Sequence, residues 1–161
     1  MKKVLIALQV MFLVFVFACK RPGHVTTVLK SPDHKTVTIA ISDDGSGGYI
    51  VEASVPNKAY LKKGQKVHWI VINNTEAATV STTLIDSFLD QAGHTDPFEG
   101  TPADQKFTFP AIGFGAESRL TSNKAKTFPK GDPRQFKYKV TVTIAGVAKP
   151  ISVDPVVIVG D

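Results

Sequence analysis

The sequence predicts an all-β fold, a sandwich or barrel of short strands, over most of its 161 residues. Several stretches alternate apolar and polar residues with a period of two, which is typical of half-buried strands. Turn signals rich in glycine, proline and asparagine separate these stretches. After the apolar amino terminus, no long stretch has helical periodicity, which favours a sandwich or barrel over a mixed fold.

The first segment, residues 1–18, has the composition of a secretory signal. Lys2 and Lys3 give it a positive start, and an apolar run from Val4 to Ala18 follows, interrupted by Gln9 alone. A charged start, a short apolar core and a small residue before the cut are the parts of such a signal. The run is shorter than the about 20 apolar residues that a membrane-spanning helix needs.

Cys19, the only cysteine, follows this run directly. The string from Val16 to Cys19 reads Val-Phe-Ala-Cys and resembles a bacterial lipobox. The resemblance implies that Cys19 takes a diacylglycerol, that the signal is cut before it and that the new amino terminus is acylated. Several acyl chains would anchor the protein durably to a membrane. The alternatives are an ordinary residue after a plain signal, or part of an uncleaved anchor.

Lys20 follows the cysteine where an aspartate would favour retention in the inner membrane. The resemblance therefore implies the outer membrane of a bacterial cell envelope, with the protein facing the periplasm. Residues 19–35 are predicted to be a lipidated tether, because proline and polar residues occur there with little periodicity. The folded domain is predicted to occupy residues 36–161.

The folded domain opens with a predicted hairpin. Residues 36–41 and 49–55 alternate apolar and polar side chains, and the turn at residues 43–48 is rich in glycine and aspartate. Residues 66–72 are apolar on both faces, which predicts a central position in a sheet. Residues 79–84 are β-branched and predict a further strand.

The second half combines an irregular insertion with further strands. Residues 85–105 lack a strand pattern, although Ile85, Phe88 and Leu89 are spaced for one helical turn. Short strands are predicted around residues 107–110 and 118–121. The clearest alternation in the chain is that of residues 136–144, and residues 151–159 predict a last strand in which Pro155 requires an edge or a bulge.

Three segments, taken in order, resemble the cupredoxin family. They are a glycine turn leading into a strand that ends in asparagines, Lys63–Asn74; a phenylalanine-rich strand, Phe107–Ile112; and the strand that would precede the copper loop, Phe136–Val140. The resemblance covers residues 36–161. It implies a Greek-key β-sandwich or barrel of cupredoxin type, with a long irregular insertion.

The copper ligands of that family are missing. A type 1 copper site needs a cysteine thiolate and two imidazoles, usually with an axial methionine. Val140 stands at the cysteine position, no histidine follows it, and Met11 is the last methionine. Residues 75–80, where the first copper histidine is expected, contain no histidine. The resemblance therefore implies a copper-free domain with no cofactor.

Two other places could bind a metal. His68 lies in a predicted strand, where a half-exposed structural histidine is the favoured interpretation over a ligand. Asp90, His94, Asp96 and Glu99 lie in the irregular segment and could hold Zn²⁺ or Ca²⁺. Their spacing matches no known metal motif, so a solvated loop is the favoured interpretation there.

A basic stretch could meet anionic lipid headgroups, acidic glycans or an acidic protein, although a solvated sheet face is the simpler interpretation. It consists of Arg119, Lys124, Lys126, Lys130, Arg134, Lys137 and Lys139. The net charge of +5 includes two lysines of the signal, so the remaining excess is mild and does not indicate a nucleic-acid partner.

No nucleophile elbow, phosphate loop or zinc-protease motif occurs, so we expect no enzyme. The main hypothesis is a membrane-anchored protein that binds or scaffolds an envelope protein or an anionic glycan or lipid. One alternative is a copper- or zinc-handling protein that uses the His94 loop or His68. Another is an immunoglobulin-like adhesion or assembly module, whose sheets would be antiparallel where cupredoxin topology includes parallel pairs.

Overall fold

A computed structural model describes residues 33–54, 58–128 and 133–160, which form two β-sheets around one core. The signal, Cys19 and residues 20–32 lie outside the described residues. The strands are β1 His34–Asp43, β2 Tyr49–Ala53, β3 Lys58–Leu61, β4 Lys66–Asn73, β5 Val80–Leu89, β6 Phe107–Phe109, β7 Glu117–Thr121, β8 Arg134–Ile144, β9 Ile151–Val153 and β10 Val156–Val159. One short 3-10 helix, Pro102–Gln105, lies between β5 and β6.

The first sheet has the strand order β2-β1-β4-β7, so β4 is central, as its apolar sequence predicts. β1 pairs with β2 as the predicted antiparallel hairpin and with β4 in parallel. β7 completes the sheet antiparallel to β4. β1 begins at His34, because His34 and Lys35 already pair with Lys66 and Val67.

The second sheet has the order β3-β10-β8-β5-β6, and β9 also pairs with β8. β3 and β10 are parallel, and the other pairs are antiparallel. The predicted all-β sandwich is therefore confirmed. The two parallel pairs, β1 with β4 and β3 with β10, are the feature that the cupredoxin resemblance implies and a purely antiparallel sandwich lacks.

The core between the sheets is rich in aromatic rings. Trp69 from β4 is fully buried, and its ring centroid lies 4.5 Å from that of Phe107 and 5.9 Å from that of Phe98. Phe88 stacks on Tyr138 at 5.2 Å between centroids. Aromatic pairs at these distances add to the stabilisation that burial alone provides.

The predicted helical turn at Ile85, Phe88 and Leu89 is wrong, because all three residues belong to β5. Ser87 has a φ of 57°, and the register of β5 on β8 shifts between Asp86 and Leu89. This β-bulge adds a residue, so Ile85 and Phe88 both face the core although they are three positions apart. Their spacing imitates a helix for that reason.

Two other strand predictions need correction. The predicted last strand, residues 151–159, is divided into β9 and β10, and both pair with β8. Pro155 lies at the break, where its carbonyl oxygen accepts the Tyr138 N–H at 3.0 Å. A proline cannot donate to the ladder, so it marks the interruption. β3 was missed by the sequence analysis because its four residues have too short a pattern to count.

The strand directions give the sandwich two ends. At one end, which we call the entry end, β1 and β4 begin and β3 and β10 end. The turn at residues 62–65 forms hydrogen bonds there with the segment at residue 125. The opposite end, which we call the distal end, contains four loops, at residues 44–48, 74–79, 110–116 and 145–150. Within the described ranges, no helix has the length and apolar character needed to cross a membrane.

Candidate functional site

Val140, which the cupredoxin resemblance places at the position of the copper cysteine, is an ordinary core residue. Val140 is fully buried in β8, where it pairs with Ile85 on β5 and with Val153 on β9. Its side chain is an isopropyl group and offers no ligand atom. The strand thus continues as a regular part of the sheet where the family has its thiolate.

Asn73 closes the distal end near the place expected for the first copper histidine. Its amide nitrogen donates to the carbonyl oxygens of Ala78 at 2.8 Å and Ile112 at 3.0 Å. Its side-chain oxygen accepts from the N–H and the hydroxyl of Thr75, at 3.1 and 2.7 Å. This fully buried amide therefore joins two loops, and each of its polar atoms is satisfied.

The outer surface of the distal end carries carboxylates and one large apolar side chain. Asp43 and Asp44 lie at the end of β1, and the Asp43 carboxylate accepts the Glu76 N–H at 2.8 Å. The N–H groups of Ser46 and Gly48 lower the pKa of Asp44. Phe114, at the tip of the next loop, is 65% exposed.

His68 lies on the outer face of the first sheet, where it has a structural contact. Its Nδ1 lies 2.8 Å from the Thr121 hydroxyl on β7. Burial, together with the charges of Arg119 and His34, lowers its pKa from the usual value. Nε2 is buried and has no hydrogen-bond partner among the residues that the structure describes.

The start of the long insertion is organised by Asp90. One oxygen of its carboxylate accepts the N–H groups of Ala92 at 2.9 Å and His94 at 2.8 Å, and the other lies 2.9 Å from His94 Nδ1. Burial alone would raise the pKa of Asp90, but these hydrogen bonds and the His94 ring hold it below its usual value. Asp90 therefore acts as the centre of a turn.

Arg134, at the start of β8, connects this turn to the sheet. Its Nη1 lies 3.4 Å from the Asp90 carboxylate, and it lies 2.6 and 2.9 Å from Nδ1 and Nε2 of His94. The guanidinium therefore contacts both Asp90 and His94. The guanidinium also lies 4.8 Å above the Phe128 ring, a cation–π geometry.

The four candidate metal ligands of the insertion are not brought together. Asp90 and His94 contact each other and Arg134, whereas Asp96 forms an ion pair with Lys126 on another segment. The Glu99 N–H donates to the Lys124 carbonyl oxygen at 2.8 Å. Across residues 33–54, 58–128 and 133–160, no three His, Cys, Asp or Glu side chains converge as metal ligands would.

Phe98 makes the insertion part of the core. It is fully buried, and its ring centroid lies 5.5 Å from that of Phe88 and 5.9 Å from that of Phe107. Its N–H donates to the side-chain oxygen of the buried Gln105 at 3.2 Å, and its carbonyl accepts from the Gln105 amide at 3.0 Å. The insertion is thus fastened by both packing and paired polar groups.

The basic stretch of the sequence does not form one surface. Arg119 lies on the first sheet and is paired with Glu117 at 2.5 Å. Lys137 lies on the second sheet, and Lys126 and Arg134 contact carboxylates of the insertion. Lys130 lies outside the described residues. The described members of the stretch are therefore divided among separate places.

A different group of lysines does share a surface, and the sequence analysis missed it. Lys35 on β1 and Lys62 in the turn before β4 line one cleft of about 370 Å³ at the entry end, beside Tyr60. Lys63 follows in the same exposed turn. We call these four residues the entry patch. Its only sequence signal is a lysine at the start of β1 and another in the turn before β4, which the parallel pairing of the two strands brings together.

Comparisons with known proteins show similarity of fold alone. No known protein family and no curated protein matches the chain. One similar structure is the CsuC–CsuE chaperone–tip adhesion subunit pre-assembly complex from the archaic chaperone-usher Csu pili of Acinetobacter baumannii. The TM-score is 0.48 at 12% identity, over 65% of this chain and 49% of that one.

A second similar structure is Fet3p, a multicopper oxidase that functions in iron import. The TM-score is 0.31 at 9% identity, over 79% of this chain and 27% of that one. The chain thus spans about half of one relative and about a quarter of the other. At these identities and TM-scores, neither likeness transfers a function to this chain.

Proposed function

We propose that this chain is a lipid-anchored protein of the bacterial cell envelope whose copper-free, cupredoxin-like domain binds or scaffolds a partner. Cys19 is the anchored residue, and the domain faces the periplasm, from the outer membrane. The partner is an envelope protein or an anionic glycan or lipid, and the protein is not an enzyme.

The buried Val140 is the observation that best supports a binding role over electron transfer. Blue-copper chemistry depends on a thiolate ligand, and this position supplies a hydrocarbon side chain within a regular strand. The Asn73 network occupies the neighbouring loop, and its amide is already saturated with protein partners. A metal would have to displace both features.

The anchor is supported by the sequence around Cys19. A lone cysteine directly after an apolar run, followed by a polar tether, is the pattern expected of a lipidated amino terminus. The predicted tether of residues 19–35 overlaps the first two residues of β1, which begins at His34, so the chain passes from the tether directly into this strand. The folded domain would therefore hang from the membrane by its entry end.

The test of the anchor is Cys19→Ser combined with fatty-acid labelling of growing cells. Serine keeps the size of the side chain but cannot form the thioether. The wild-type protein is expected to carry the fatty acid and to fractionate with membranes, and the variant is expected to lose the label and release its domain. A variant that is still cut and still bound to membranes would contradict the anchor. Thr26→Ser in the tether is the matched control.

The sorting part of the proposal has its own test. Lys20→Asp is expected to move the protein from the outer to the inner membrane, because it restores the residue that favours retention in lipoproteins of this type. Lys20→Arg is the control that keeps the charge. Equal distribution of the two variants over separated membranes would contradict outer-membrane sorting.

Metal handling is the second candidate function, through the His94 loop. It is favoured less because His94 and Asp90 are engaged with Arg134, and Asp96 is paired with Lys126. The adhesion or assembly module is favoured less because two strand pairs are parallel.

A further inference from the structure

We propose that the entry patch docks on the anionic headgroups of the phospholipid layer that holds the anchor. The inference rests on the proposed lipid anchor at Cys19 and adds an orientation to it: the entry end lies on the membrane and the distal end points away. In the patch, Lys35 and Lys62 line the cleft together with Tyr60, and Lys63 follows Lys62 in the same exposed turn.

The cleft of the patch is lined by apolar and by cationic side chains. Leu61, Pro133 and Ile158 are its apolar lining, and Lys35 and Lys62 are its charged lining. Tyr60 is 61% exposed, although it is a large aromatic residue. Tyrosine is enriched where a protein meets the headgroup region, because its ring is apolar and its hydroxyl is polar. The combination matches a membrane interface.

The charges of the patch are available for a partner. Over the part of the chain that the structure describes, no carboxylate pairs with Lys35, Lys62 or Lys63, and no acidic residue lines the cleft. The cations of the predicted basic stretch behave differently, since Arg119 and Lys126 each contact a carboxylate. Unpaired lysines beside an apolar lining favour an anionic surface.

The turn that carries two of the lysines is held firmly. Gly64 has a φ of +77°, which suits glycine, and its N–H donates to the Ala125 carbonyl oxygen at 3.1 Å. The Gln65 N–H closes the turn onto the Lys62 carbonyl at 3.0 Å. A preorganised patch loses little conformational entropy when it binds a surface.

The position of the chain start identifies the occupant. The first described residue, Asp33, accepts the Lys66 N–H with its carbonyl oxygen at 2.9 Å, so the chain enters the fold beside this turn. Asp33 lies fourteen positions after Cys19. A fully extended chain spans at most about 3.6 Å per residue, so the entry end stays within about 50 Å of the anchored cysteine.

A tether of this length makes weak contacts sufficient. Linking two groups by a short flexible chain gives an effective concentration in the millimolar range. Each lysine near an anionic leaflet raises the binding constant on the order of five-fold. Three lysines and one interfacial tyrosine are therefore enough to favour the docked orientation, and salt should oppose it.

The experiment uses the full processed protein, reconstituted into vesicles of phosphatidylcholine alone or mixed with phosphatidylglycerol. Hydrogen exchange is measured at residues 58–66 and, as an internal reference, at residues 113–116 of the distal end. We expect exchange at residues 58–66 to slow several-fold on the anionic vesicles only, and to recover at high salt. The reference segment is expected to stay unchanged.

The lysines are tested by the double variant Lys62→Glu with Lys63→Glu, which should abolish the slowing. The matched control is Lys106→Glu with Lys149→Glu, which makes the same charge change at exposed positions that do not line the cleft. This control is expected to keep the slowing. Tyr60→Ser should reduce it by about the same factor as the loss of one lysine.

Three results would overturn the docking. Equal exchange on both kinds of vesicle, with the protein still attached and carrying its fatty acid, would overturn the docking and leave the anchor intact. Slowing by added polyglutamate but not by anionic vesicles would assign the patch to an acidic protein. A protein without fatty acid that does not associate with vesicles would overturn the anchor and the docking together.

Discussion

The two ends of the sandwich differ in what their loops do. The distal end is closed by the neutral, saturated Asn73 network, and its exposed charges include Asp43, Asp44 and Glu76. The entry end holds the long insertion, its Asp90 turn and the lysines of the entry patch. The distal end is thus closed by buried side chains, and the long insertion lies at the opposite end.

This difference shows that the arrangement of the strands does not indicate where the functional surface lies. The sheets contain two parallel strand pairs, and at the distal end the buried Asn73 side chain joins two loops over the core. The functional surface must then be sought elsewhere, because a fold does not specify its site. The following predictions compare the two ends.

The largest expected effect lies at the entry end. Phe98→Ala should lower the free energy of unfolding by about 3–5 kcal/mol, because it removes a fully buried ring that contacts three other rings. Denaturant unfolding monitored by Trp69 fluorescence measures it. The distal counterpart, Phe114→Ala, should change stability by less than about 0.5 kcal/mol, because Phe114 is exposed.

Equal losses from these two substitutions would remove the difference between the ends. Such a result would mean that the insertion contributes no more to the stability of the core than an exposed loop tip does.

Tyr138, in the core between the ends, should make the protein labile to alkali. Burial raises its pKa to about 12, and the nearby Trp69 side chain offsets part of this rise, although the indole nitrogen has no partner in hydrogen-bond geometry. Between pH 10 and 12 the Tyr138 hydroxyl stays protonated in the folded state but ionises in the unfolded state. The free energy of unfolding therefore has its full value below pH 10 and falls as the pH rises from 10 to 12. The two-unit difference corresponds to about 3 kcal/mol.

The measurement is unfolding as a function of pH for the wild type and Tyr138→Phe. The variant should lose less stability between pH 10 and 12, since phenylalanine does not ionise. Parallel curves would show that this ring is not protected from solvent by the insertion.

The smallest of the three effects concerns the seal of the distal end. Asn73→Ala should cost about 1–3 kcal/mol, because the Ala78 and Ile112 carbonyls and the Thr75 hydroxyl lose a buried partner. Asn74→Ala is the neighbouring control at an exposed position. If Asn73→Ala cost more than Phe98→Ala, the distal end would be the stronger part of the fold.

The sequence predicted most strands because their side chains alternate, and it failed where backbone geometry breaks that period. The bulge at Ser87 made Ile85 and Phe88 look helical, and Pro155 divided a strand that had been predicted as one. A four-residue edge strand such as β3 carries too little pattern to be recognised. Each error arises from a local departure from regular pairing.

A site could be predicted from the sequence only where the type of residue at one position decides the chemistry. The absence of a thiolate at Val140 needs no structure, whereas the contacts of His94 depend on Arg134, forty residues away. The entry patch depends on the parallel pairing that places Lys35 beside the turn of Lys62. Contacts of this kind, between segments far apart in the chain, cannot be predicted from local sequence.

The most direct test of a copper-free binding module is titration of the processed protein with copper and with zinc, followed by calorimetry and visible absorption. The account predicts no stoichiometric binding and no blue absorption band. Tight one-to-one binding that disappears in His94→Ala or His68→Ala would contradict it, and would make this protein a metal carrier.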